Sequence, residues 1–109
     1  MNHEPTILYL IYNKELNAAK IGVGDIAGRR YSLHRSKGWQ LVGYWYFQDR
    51  QKALDIESKV LYTIRKKLKQ ESFLSKEQMP QNGYTETFDA SKITSRQVKS
   101  IIKKQIREQ

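Results

Sequence analysis

The stretch that most restricts the fold is Thr6–Tyr12, TILYLIY, a run of β-branched, aliphatic and aromatic residues with no charge and no glycine. Such a run has no polar side to turn towards water. It reads as a strand covered on both faces. NKELNA follows as a polar connecting loop, and AKIGV (19–23) is the returning strand of a hairpin.

The rest of the chain supplies further strands and helices. Asp25 can cap a short helix over 26–35, which Gly28 weakens by about 1 kcal/mol relative to alanine, and KGW ends it. QLVGYWYFQ (40–48) is a third strand, with Leu41, Trp45 and Phe47 on one face and Val42, Tyr44 and Tyr46 on the other. From Arg50 to Gln70, the positions Ala53, Ile56, Val60, Leu61, Ile64 and Leu68 keep to one helical stripe. Residues 72–82 are mostly polar, contain Pro80, and read as a flexible loop, whereas GYTETF (83–88) reads as a short strand or turn. Thr94 with Gln97 fits a capping box opening a last helix, whose stripe is Val98, Ile101, Ile102 and Ile106.

The order β-β-α-β-α-(β)-α predicts an α/β fold, a small and mainly antiparallel three-stranded sheet flanked by helices. Residues 1–90 are expected to form one domain. The basic helix of 91–109 packs on it or extends it, and its stripe could also serve a homodimer or another protein.

Charge narrows the function. The 109 residues hold 20 Lys+Arg against 11 Asp+Glu, a formal net charge of +9. That surplus favours polyanionic partners, nucleic acid first, with a basic surface kept for solubility as the plainer alternative. Cysteine is absent, which removes disulfide, zinc-thiolate and thiol chemistry and suits the cytoplasm. The opening MNHEPTILYLIY lacks a basic leader region, and its apolar run is too short to span a bilayer. A soluble cytoplasmic protein is expected.

A few residues could carry chemistry. Arg30 and His34 are four apart, hence on one helix face, where a guanidinium can fork around a phosphate beside an imidazole. Such pairs are also common on solvated helices. Glu57 stands four after Ala53 and three before Val60, at the border of the apolar stripe. It is either aimed into a site or paired with a cation such as Arg30. Tyr9 lies on the first strand, where tyrosines are ordinarily core. Lys20, on the adjacent strand, points towards Tyr9 or into solvent. Phosphodiester hydrolysis needs charge stabilisation, a Lewis acid and a base. These residue types could supply or hold each.

The chain resembles the GIY-YIG endonuclease superfamily, in which two short strand motifs precede a helix with an Arg-x-x-x-His pair and a longer helix with a metal-binding Glu. Ile7-Leu8-Tyr9 stands at the first motif and Lys20-Ile21-Gly22 at the second. Arg30, His34 and Glu57 match the arginine, histidine and glutamate. Ile7 replaces the first glycine and Lys20 the second motif's tyrosine, while GYTETF stands where many members carry an asparagine. The combination is similar to a branch of small phage and bacterial proteins in which KIG and a late G-x-x-E-x-F recur.

The resemblance implies a metal-dependent endonuclease acting on nucleic acid, DNA ahead of RNA, with no membrane partner. Glu57 would hold Mg²⁺ or Mn²⁺ and Arg30 would grip the scissile phosphate. Tyr9 or metal hydroxide would initiate attack, with His34 as base or water-orienting group. Lys20 would lower the pKa of Tyr9 or bind phosphate. Arg29, Arg35, Lys37, Lys66, Lys67, Lys99, Lys103 and Lys104 are the expected nucleic-acid contacts. The alternative is a non-catalytic nucleic-acid-binding module of the same fold.

Overall fold

Strand β1 (Thr6–Asn13) pairs antiparallel with β2 (Ala18–Asp25) on one side and with β3 (Trp39–Phe47) on the other. The apolar run is therefore central, as its composition requires. A computed structural model describes residues 5–25, 34–79 and 83–108. The expected helix over 26–35 lies outside them except for His34 and Arg35, which are helical.

Among the described residues the sheet has four strands, not three, in the order β3-β1-β2-β4. Part of GYTETF forms a 3-10 turn, Tyr84–Glu86, and the chain then continues as β4 (Thr87–Asp89), antiparallel to β2. A short run with a central glutamate carries little strand signal of its own. The edge of β2 supplies the template.

One face of the sheet carries Leu8, Leu10, Ala19, Ile21, Val23 and Phe88, which pack against two helices. Helix α1 (Arg50–Tyr62) contributes Ala53, Ile56 and Val60, and α2 (Ser95–Arg107) contributes Val98 and Ile102. The other face carries Tyr9, Ile11, Ala18 and Trp39, covered by Leu74 and Met79. Segment 72–79 is thus anchored rather than loose. The Thr87 hydroxyl accepts from the backbone N–H groups of Phe73 and Leu74 at 3.2 and 2.9 Å and donates to Tyr84 O at 2.6 Å.

Helix α1 begins where the extended Asp49 accepts from Gln51 N at 2.9 Å. The expected single helix to Gln70 gives way at Tyr62 to a π-helical turn, Thr63–Lys67. The chain then leaves through Lys69 at φ 56°, with Gln70 N donating to Ile64 O at 2.9 Å. Widening the turn rotates Leu68 off the stripe, and it is exposed.

The capping box of α2 is present, with Gln97 N on Thr94 Oγ1 at 3.2 Å and Thr94 N on Gln97 Oε1 at 2.8 Å. Its apolar stripe packs on the domain's own core, with Val98 and Ile102 buried and Ile101 and Ile106 half-buried. Of the uses expected for this helix, packing on the domain is the one the fold displays.

Strand β3 departs from simple alternation. Leu10 pairs with Gly43 but Ile11 pairs with Leu41, so Val42 is an extra residue in a bulge. Val42 joins Trp45 and Phe47 against the helical layer. Leu41 crosses to the face of Ile11, the reverse of the expected assignment.

Candidate functional site

Tyr9, Lys20 and His34 come together on the sheet face away from the two helices. Pairing of Tyr9 with Gly22 and of Ile11 with Lys20 places Tyr9 and Lys20 on that same side. The His34 ring lies 6.1 Å from Tyr9 and 6.3 Å from Trp39, centroid to centroid, and is only 2% exposed. The segment bearing it is fixed by Asn13, whose Nδ2 donates to Lys37 O at 3.4 Å, and by Lys37 N donating to His34 O at 2.8 Å. Gly38, at φ +93°, turns the chain into β3.

Lys20 is wholly buried. Its Nζ donates to Glu86 Oε1 at 3.1 Å and to Ile21 O at 3.0 Å, and lies 5.4 Å from the Tyr9 ring centroid. Of the two orientations open to it from sequence, it takes the one towards Tyr9. Because the ammonium is turned inward and ion-paired, it is not presented for direct phosphate binding. Its field on Tyr9 is offset by Glu86.

Glycines make this arrangement possible. A Cβ on Gly22 would lie 2.5 Å from the Tyr9 hydroxyl and 2.8 Å from Lys20 Nζ, and one on Gly83 would collide with Lys20 Cε. Gly83 also has φ +95°, a conformation glycine adopts without steric cost.

The Glu86 turn is itself tied down. Arg65 donates to Thr85 O at 2.8 Å, Thr87 O at 2.7 Å and Gln70 O at 3.1 Å. Burial pushes its guanidinium below the usual range, partly offset by Glu71 and Glu86. Arg65 is therefore a clamp on this turn. Glu86, Gly83, Thr87 and Trp39 all escaped the sequence reading as parts of the site. The G-x-x-E-x-F stretch was the available signal for two of them.

Glu57 is buried at the border of the α1 stripe, where its spacing places it. Helix α1 covers the sheet face opposite Tyr9, so strand register alone does not bring the carboxylate to the Tyr9–His34 pair. Arg29 and Arg30 lie outside the described residues. Among the described residues, no group of three or more His, Asp or Glu could hold a metal ion. One carboxylate ligand from the protein suits a hard cation that keeps water and takes oxygens from substrate phosphate.

The expected nucleic-acid contacts divide between two surfaces. Arg35 and Lys37 are exposed in the segment beside His34, whereas Lys66 and Lys67 on the π-turn and Lys103 and Lys104 on α2 are exposed in the helical layer. Lys99 is half-buried, its stem near Gly43 of β3. No helix among the described residues is long and apolar enough to cross a membrane.

Comparison of the chain with protein-family models, with curated proteins and with solved structures returned no match in any of the three.

Proposed function

We propose that the chain is a metal-dependent endonuclease that hydrolyses phosphodiester bonds in DNA in the cytoplasm. The observation that carries this reading is the meeting of Tyr9 and His34, far apart in sequence, at 6.1 Å between ring centroids beside a buried lysine. A phenol and an imidazole held together offer a proton path to a water attacking a phosphate. Trp39 packs edge-on against the imidazole, on the same buried face as Tyr9. Arg30 would stabilise charge on the phosphate oxygens. Glu57 would hold Mg²⁺ or Mn²⁺, and the cation, when bound, supplies Lewis-acid polarisation of a phosphate oxygen. Lys20 acts as a positioning residue, keeping Tyr9 and the Glu86 turn in register. A +9 chain draws the polyanion to the site.

A second reading, a non-catalytic nucleic-acid-binding module, is favoured by one observation. Tyr9 is wholly buried, and Lys20, at the second motif's tyrosine position, is engaged with Glu86. Nicking of supercoiled plasmid with Mg²⁺ or Mn²⁺ separates the two. The nuclease reading requires relaxed product from the parent, none with chelator and none from Glu57→Gln. Binding without relaxation by the parent in either metal supports the module instead.

A further inference from the structure

Strand β3 leaves a strip of large side chains uncovered beside the Tyr9–His34 pair. Tyr44 is 61% exposed, Tyr46 51% and Leu41 41%. Cross-strand pairing sets Tyr44 opposite Tyr9 and Tyr46 opposite Ile7, so both phenols stand on the Tyr9 face. The bulge at Val42 returns Leu41 and Trp39 to that face as well. One side of β3 is therefore aromatic and aliphatic from end to end.

The identity of the occupant follows from charge and shape. Nothing on β3 is acidic, and exposed Arg35 and Lys37 lie in the segment leading into it. An anionic partner with flat apolar faces fits that combination. Tyr44 and Tyr46, two apart on a strand, have backbones about 6.8 Å apart, so each ring can serve a separate base. Duplex DNA has its base faces stacked against each other, whereas unpaired nucleotides have theirs available. Tyrosine also tolerates water at its hydroxyl when nothing is bound.

We propose that Tyr44 and Tyr46 form a stacking platform for unpaired bases, holding a single-stranded segment alongside the Tyr9–His34 face. The proposal rests on the nucleic-acid reading above and adds to it the substrate class, nucleic acid with an unpaired stretch.

The test compares three labelled probes on the full chain: oligothymidylate of about 12 nucleotides, within the span of single-strand sites, an abasic backbone of equal length, and a duplex. The parent should prefer oligothymidylate to the abasic strand by roughly tenfold or more. Tyr44→Ala with Tyr46→Ala should erase that preference, and Tyr44→Phe with Tyr46→Phe should keep it. Duplex binding should change by less than about twofold, because backbone charge carries it. An alanine pair that retains the preference, or a parent that binds duplex with no such preference, overturns the platform and leaves the nucleic-acid reading standing. A parent that binds none of the probes overturns both. A parental dimer that the alanine pair dissociates, without base preference, assigns the strip to a second copy and also overturns the platform.

Discussion

Lys20 and Glu86 meet at 3.1 Å across the junction of β2 with the 3-10 turn, the lysine fully buried and the glutamate 26% exposed. The pair accounts for the joint presence of KIG and a late G-x-x-E-x-F in one chain. The lysine needs a carboxylate, Gly83 leaves room for its stem, and Phe88 fills the core beyond. Removing one member of a buried pair strands the other. Glu86→Gln should therefore cost about 2–4 kcal/mol, below the usual upper figure because the carboxylate is partly exposed. Lys20→Met should cost less, since Glu86 can turn to water. Urea denaturation of both variants checks the order. A Glu86→Gln protein as stable as the parent would remove the pair from the structural account.

Gly83→Ala should destabilise by about 1–3 kcal/mol through its positive φ alone, and further through collision with the Lys20 stem. Combining it with Lys20→Ala relieves the collision but not the backbone strain. The double variant should thus be more stable than the sum of the two single effects predicts. Strict additivity in denaturant titrations would show that the lysine stem yields freely.

How much of this was legible depends on where the information resides. The strand β1 and the stripe of α1 are local patterns, and both are found where their periodicity puts them, Leu68 excepted. Gly43 marks an irregular point in β3, but QLVGYWYF offers large apolar residues to either face, so the side each takes is not fixed locally. The side taken by Lys20 depends on Glu86, 66 residues away, which no window of sequence contains. Segment 72–79 reads as polar because Leu74 and Met79 are its buried apolar anchors, and its bonds from Phe73 and Leu74 to Thr87 are made by the backbone, which leaves no trace in side-chain pattern. Of the site, burial at Glu57 was readable from helical spacing. The packing of Trp39 against His34 comes from a tertiary contact and was not.

Asp89 gives a pH dependence with a definite sign. Ser91 donates to its carboxylate from its hydroxyl at 2.6 Å and its backbone at 2.9 Å, holding the carboxyl below its usual range. A depressed carboxylate contributes stability above its unfolded pKa of about 3.9. That contribution disappears as pH falls through the lower folded value. Asp89→Asn should accordingly melt below the parent at pH 7 and converge with it in strong acid. A deficit that persists at low pH would point to lost packing.

Glu57 and Tyr9 test whether one phosphate meets both sheet faces. Groups that act on the same transition state lose their effects non-additively. If they do so here, Glu57→Gln should abolish plasmid nicking, and Tyr9→Phe alone should bring it close to the same floor. Binding of duplex should persist in both, since neither change removes positive charge. A Glu57→Gln protein that nicks at the parental rate would place the metal elsewhere or trace the activity to a contaminant.

Two exposed basic surfaces are open to a duplex, one on each side of the sheet. Lys103 and Lys104 are exposed on α2, and Lys99 lines a shallow depression there with Arg96 and Lys103. Arg35 and Lys37 lie in the segment beside His34, which packs on the opposite sheet face, so a straight duplex cannot press on both surfaces at once. Each phosphate neutralised contributes about 0.9 to the log–log salt slope. If the duplex tracks the helical layer, replacing Lys99, Lys103 and Lys104 with Gln should lower that slope by up to about 2.7. Affinity should fall by a similar factor on every sequence, because phosphate contacts carry no base information. Melting temperature should stay nearly constant, since Val98 and Ile102 keep the helix seated. An unchanged slope would transfer the phosphate contacts to the side of Arg35 and Lys37, the face that holds Tyr9 and His34, and leave the tail lysines solvating the back of an amphipathic helix.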